Sequence, residues 1–206
     1  MLARATERYS EAEYLAMEAA SPTKNEFLNG EILAMAGSSV NHALVQAALL
    51  SGLIGRLRGG PCQAVGSDLR VHTAETGLYA YPDLVVFCGA PELSPTNPPS
   101  LLNPRVIIEV LSDSTENLDR VVKVAHYRHR ASVQTIVLVD SRRRLVEIQT
   151  RNPNGTWTLD ERTSGEVPFA ALDLAIPFDE VYERVTFEPV PPPAAQPKRR
   201  RRAVRG

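Results

Sequence analysis

LYAYPDLVVF at residues 78–87 and RVIIEVLS at residues 105–112 decide the fold of this chain. Both runs are apolar and rich in β-branched residues, as strands covered on both faces tend to be. Each carries one acid: Asp83 directly after Tyr81-Pro82, and Glu109 between Ile108 and Val110. An ionised carboxylate in such surroundings costs several kcal/mol, of order ~3–5, unless it is paired or binds a metal. Neighbouring strands lie about 5 Å apart, so two such acids on adjacent strands can share one ion. Magnesium takes one or two protein carboxylates and fills its other positions with water and phosphate oxygens. The pair therefore points to a magnesium or manganese site with Asp83 and Glu109 as ligands.

Outward from these runs, residues 63–73 (QAVGSDLRVHT), 79–87 and 105–111 form three strand candidates separated by turn residues and by the proline-rich loop APELSPTNPP. Asn41 can cap a helix over about 42–58, which Gly59-Gly60-Pro61 stops. A second helix over 116–130 leads into the strand TIVLVD. The order from 42 to 140 is thus αβββαβ, an α/β (α+β) arrangement. Ser10 and Glu13 have capping-box spacing for a short N-terminal helix. Asn29-Gly30 marks a hairpin with Glu31 opening its second strand, where that glutamate could bring a third acid to the site. RRLVEIQT, an NPNG turn and TWTLDERT predict a C-terminal antiparallel meander, and FDEVYERV predicts a terminal helix.

With 206 residues, 43% hydrophobic and 23% charged, the chain has the make-up of one globular domain, here residues 1–187. From 188 to 206 it is rich in proline and arginine and is expected to be an extended tail. Six of the 23 basic residues lie in the last nine positions, leaving 17 basic against 24 acidic residues before them. An acidic body thus carries a basic tail, and clustered lysine and arginine that neutralise phosphates give salt-sensitive affinity for nucleic acid. Cys62 and Cys88 are too few for a disulfide framework and have no metal-binding spacing, which favours a reducing interior while leaving a single bridge open. No signal pattern opens the chain and no apolar stretch approaches the roughly 18 residues of a membrane span. The expected location is the cytoplasm, with no membrane partner.

FLNGEILAMAG (27–37), NHALV (41–45), GSDLRV (66–71), YPDLVV (81–86), NPRVIIEVLSDST (103–115) and DRVVKVAHYR (119–128) together resemble the Uma-two family, a branch of the PD-(D/E)XK nuclease superfamily. The resemblance spans about Tyr9 to Val185. It implies a restriction-endonuclease-like core with a mixed sheet and metal-dependent cleavage of DNA, with Asp83 as the motif aspartate and Glu109 as the motif acid. The superfamily lysine, two positions after that acid, is replaced by Leu111. The family resembles branches in which the lysine has moved to the following helix, and Lys123 is the matching residue.

The residues themselves leave Lys123 open. At 100° per residue Leu118, Val121, Val122 and Ala125 mark the apolar face of that helix, and Lys123 falls roughly 140° from its centre, a solvated lysine paired with Asp119. Asp68 and His42 are further candidates, an acid near the strands and an imidazole at a helix start that could touch a phosphate. His72, His126 and His129 have no zinc spacing, and Ser112 and Ser114 lack the context of a hydrolase nucleophile. The rival readings are a catalytically silent DNA-binding module, as Leu111 allows, and more weakly a glycosidase using two carboxylates. A homodimer would suit an enzyme that cuts both strands of a duplex.

Overall fold

Ser10 accepts a hydrogen bond from Glu13 N, and Glu13 reaches back to Ser10 N at 2.7 Å, the capping box that opens α1 (Glu11–Ala20). The computed structural model describes residues 8–35, 37–113 and 116–187. The segment 188–206 with its basic run lies outside them. Asn29 and Gly30 adopt φ of 51° and 85° in the turn that joins β1 (Asn25–Leu28) to β2 (Glu31–Ala34). In α2 (Val40–Leu57) the cap is Ser39, whose hydroxyl accepts from His42 N at 3.2 Å. Asn41, expected in that role, lies within the first turn and donates to the Thr186 carbonyl at 2.9 Å.

Two expected strands are broken, and their halves enter different sheets. The first becomes β3 (Cys62–Gly66) and β4 (Arg70–Thr73), divided by a turn at Ser67-Asp68. The second becomes β5 (Leu78–Ala80) and β6 (Leu84–Cys88), divided at Tyr81-Pro82-Asp83, where proline has no N–H for a ladder. Next come β7 (Ser100–Leu101), β8 (Val106–Leu111), a π-helical segment (Leu118–Lys123) continuing into α3 (Val124–His129), and β9 (Thr135–Asp140). The chain closes with β10 (Leu145–Arg151), β11 (Trp157–Arg162), β12 (Glu166–Phe169), β13 (Leu174–Pro177) and α4 (Phe178–Val181), the expected terminal helix reduced to about one turn.

The main sheet has the order β11-β10-β9-β8-β6-β3. Its β8–β9 pair is parallel and the others antiparallel, so the sheet is mixed. The helical crossover through α3 is what a parallel pair requires. A second sheet, β2-β1-β5-β4-β7, collects the N-terminal hairpin and the other halves of the broken strands. The helix, three strands, helix, strand order of the core is therefore the expected one, with the second sheet as an addition.

One face of the main sheet packs against α2, β12, β13 and α4, and the other against α3 and the second sheet. Side chains alternate across a strand. Val106, Ile108 and Val110 of β8 enter the first core and Ile107 and Leu111 the second, which directs Glu109 toward α3.

Cys62 and Cys88 face each other across β3 and β6 and form a disulfide. The single bridge that the sequence left open is thus formed, which removes the argument for a reducing interior. No helix among the described residues is long and apolar enough to cross a membrane.

The second sheet, α1 and the loop before β7 are joined by Arg70, only 1% exposed. It donates to Ser100 Oγ at 2.7 Å, to Tyr14 OH at 3.3 Å, to Thr96 Oγ1 at 3.2 Å and to the Pro98 carbonyl, and lies 5.6 and 5.0 Å from the Tyr14 and Tyr79 rings. Truncation to Arg70→Ala leaves a void and several buried oxygens without a donor, and is expected to cost about 3 kcal/mol. In a denaturant titration the midpoint falls at unchanged slope. A loss below about 1 kcal/mol would mean that the loop from Ser94 to Ser100 is held by other contacts.

Candidate active site

The register of the central strands brings Asp83 and Glu109 together. β6 and β8 pair with Leu84 opposite Ile108, so Asp83, one residue before β6, stands across from Glu109. Asp83 Oδ2 accepts from Val110 N at 2.7 Å, and Glu109 Oε2 accepts from Asp83 N at 3.3 Å. The two carboxylates are thus cross-linked through each other's backbone at the point where Pro82 interrupts the ladder.

Lys123 reaches the same place from the helix. Its ammonium is 2.8 Å from Glu26 Oε1, 2.9 Å from Asp119 Oδ1 and 3.5 Å from Glu109 Oε1. The contact to Asp119 is an ion pair without hydrogen-bond alignment, since Asp119 Oδ1 has no hydrogen-bond partner. The expectation of a solvated lysine is corrected here: Lys123 is 6% exposed, while Val121, assigned to the apolar face, is 60% exposed. The reason is the π-helical winding of Leu118–Lys123, in which i→i+5 bonding replaces the rotation of 100° per residue that the wheel assumes. The expected partner Asp119 is present, but the pair is buried.

The hairpin also contributes an acid, though a different one. Glu31 is exposed at the turn end of β2, opposite Leu28, and does not line the cavity. Glu26 lies on the same face opposite Leu33, one strand repeat of about 7 Å nearer the sheet interior. It binds Lys123 and accepts from Tyr81 N at 3.0 Å. Its sequence signal was alternation: Phe27 turns to Tyr14 and Tyr79, so Glu26 and Leu28 turn the other way. Asp68 is almost fully exposed and pairs with Lys24.

These groups line a cavity of about 340 Å³ walled by α2, the hairpin and the start of the π-helical segment. It continues past Gly37 and Ser112 into a wider cleft of about 940 Å³ that includes Asn41 and Arg142. Three carboxylates, Glu26, Glu109 and Asp119, face one ammonium, and Asp83 lines the same cavity. Burial pushes Glu109 well above the usual carboxylate range, opposed by Lys123 and reinforced by Asp119, Asp83 and Glu26. Burial works against the charge of Lys123 as well, but Glu109, Glu26 and Asp119 outweigh it and hold the ammonium well above its ordinary value. Tyr127, its phenol pushed up by burial and by Glu109, remains a donor and bonds Glu109 Oε1 at 2.8 Å.

His42 completes the cluster, a residue the sequence presented as a helix-start imidazole of unassigned role. Its Nε2 lies 3.3 Å from Asp83 Oδ2. Burial lowers its pKa, but the negative charges of Asp83 and Asp119 outweigh this and leave it raised. Among the described residues no set of three or more His, Cys, Asp or Glu closes on one point as a metal cage. A cation here would draw on Asp83 and Glu109 and leave its other positions to water or a substrate oxygen.

The model of the Uma2 family, described as "Putative restriction endonuclease", matches residues 11–177. Two uncharacterized proteins of Synechocystis are similar along nearly their whole length. The protein slr1290 is 31% identical over 181 residues, 87% of this chain and 94% of its own. The protein sll1609 is 32% identical over 176 residues, 84% of this chain and 99% of its own. Among solved structures, the crystal structure of "a putative nuclease belonging to DUF820" from Anabaena variabilis superposes with a TM-score of 0.66 at 16% identity, covering 84% of this chain and 97% of that one. At that identity the likeness is one of fold.

A carboxyl whose folded pKa lies above its unfolded one stabilises the fold while protonated and loses that contribution as pH rises. Lys123→Met removes the charge that compensates Glu109, Glu26 and Asp119, and is expected to cost about 3–5 kcal/mol at pH 8. Toward pH 5 the deficit shrinks as Glu109, its pKa raised by burial, takes up a proton. Thermal melts of both proteins across that range test this, and an equal deficit at both ends would mean that Lys123 is not what neutralises the cluster.

Proposed function

The chain belongs to the Uma2 family, and on that premise we propose that it is an endonuclease that hydrolyses DNA phosphodiester bonds with the help of a divalent cation, magnesium or manganese. The observation that carries this reading is the convergence of Asp83, Glu109 and Lys123 in one cavity at the end of the central strands. Three buried carboxylates around one ammonium, with the partly buried Asp83 beside them, work against folding, and clusters of this kind concentrate where chemistry is done.

The donor set fits the cation. All the acids are hard oxygen ligands, and the excess of negative charge is of the sign that a divalent ion offsets. Asp83 and Glu109 would hold it. When bound, the ion polarises the phosphodiester and lowers the pKa of the attacking water. Lys123 would orient that water or offset charge building on the phosphoryl oxygens. Glu26 and Asp119 fix the direction of the ammonium, and Tyr127 holds Glu109 through its Oε1. The basic residues 198–202 would add salt-sensitive attraction to DNA that offsets the acidic character of the body.

The test is incubation of the purified protein with supercoiled plasmid and magnesium or manganese, beside EDTA controls. The expected outcome is metal-dependent nicking, reduced about 100-fold or more in Asp83→Ala with an unchanged circular dichroism spectrum. Linear product at low enzyme concentration would indicate two copies acting together. Salt-sensitive binding without cleavage under any metal would instead assign a silent DNA-binding module, the reading that Leu111 favours.

A further inference from the structure

We propose that His42 is a positioning residue for cation binding: from the first turn of α2 its imidazole holds the Asp83 carboxylate in the orientation that a divalent ion requires. The inference rests on the metal-dependent reading of this site.

Asp83 lacks the usual restraint of a strand residue. Pro82 precedes it, β6 begins only at Leu84, and its own N–H is spent on Glu109 Oε2 at 3.3 Å. Helix α2 supplies the restraint instead, and does so twice. Gln46 Nε2 donates to the Asp83 main-chain carbonyl at 2.9 Å, and one turn earlier His42 Nε2 lies 3.3 Å from Asp83 Oδ2. That same oxygen accepts from Val110 N at 2.7 Å, so the carboxylate is gripped from the strand on one side and from the helix on the other.

The identity of the residue is informative because a more apolar one would serve the fold better. His42 heads the buried stripe of α2, followed by Val45, Leu49 and Leu53, all 0% exposed. An imidazole in that row leaves Nδ1 buried with no hydrogen-bond partner, at a cost of about 1–3 kcal/mol. An aromatic hydrocarbon of similar size would avoid the cost. What the imidazole adds is a ring nitrogen 3.3 Å from the Asp83 carboxylate. Partners that orient a metal-binding carboxylate or imidazole typically change metal affinity about 10–100-fold when removed.

The experiment is titration of the full chain with manganese chloride, followed by the loss of free Mn²⁺ signal in electron paramagnetic resonance, for the natural protein, His42→Phe, His42→Gln and Asp83→Asn, with a thermal melt of each without metal. The expected result is that His42→Phe melts at or above the natural protein yet binds Mn²⁺ about 10–100-fold more weakly. His42→Gln, whose amide nitrogen reaches the position of the imidazole Nε2, recovers most of the affinity. Unchanged Mn²⁺ affinity in His42→Phe, or weakened affinity in His42→Gln equal to that in His42→Phe, overturns the positioning role while leaving the metal site standing. If the natural protein shows no Mn²⁺ binding that Asp83→Asn removes, the metal-dependent reading falls and takes this inference with it.

Discussion

A carboxylate in the middle of β8, a strand covered on both faces, is the constraint on which the remaining arrangement depends. Glu109 is 2% exposed and flanked by Ile107, Ile108, Val110 and Leu111, each at most 1% exposed. An ionised group there is tolerated only if its charge and lone pairs are met. Tyr127 supplies a hydrogen bond, the backbone of Asp83 another, and Lys123 a countercharge. The ammonium is equally buried and draws in Glu26 and Asp119, so the surplus of negative charge moves outward by one shell and ends in the cavity. The helix after β8 thus could not be replaced by any apolar crossover of the same length.

The second constraint is the proline at position 82. By removing one N–H it ends β5, lets the chain pass from the second sheet to the main sheet, and leaves Asp83 outside the ladder. A residue paired on both sides of a central strand has its backbone oxygens and N–H committed to neighbours. One at a strand break has them available, and here they are taken up by Gln46 and Glu109. The same break that costs the sheet a hydrogen bond therefore creates the position from which a side chain can face the cavity. Arg70 offsets the break by tying β4, α1 and the loop before β7 together below it.

Much of this was legible in the residues. The apolar runs at 84–88 and 106–111, the capping box at Ser10, the Asn29-Gly30 turn and the order of the core elements follow from local chemistry alone. Asp83 and Glu109 stand out because each is the single acid in an apolar run. The breaks were less legible. Pro82 and Gly66-Ser67-Asp68 are visible as interruptions, but whether an interruption bends one strand or sends its halves to two sheets is decided by long-range packing. Glu26 was hidden because Glu31 sits beside the turn, where a hairpin acid is easiest to notice, although period-2 alternation from the buried Phe27 places Glu26 toward the site. Cys62 and Cys88 are 26 residues apart in sequence, and only the β3–β6 register brings them opposite each other.

Lys123 shows why a wheel fails where it matters most. A lysine two positions after Glu109 would share its face of β8, because strand side chains repeat every second residue. That place is held by Leu111, which fills the core between the main sheet and α3. The ammonium arrives instead from 14 residues later in the chain, across the gap between sheet and helix, and lies 3.5 Å from Glu109. For it to do so, the helix must turn Asp119, Lys123 and Tyr127 to the sheet and Val121 to water, which regular α-helical winding matched to the apolar pattern would not do. The π-helical segment supplies the change in phase, at the cost of exposing one valine and of the poorer packing that makes such windings rare. The position of the acid fixes where a positive charge is needed, and the chain meets that need in space rather than in sequence.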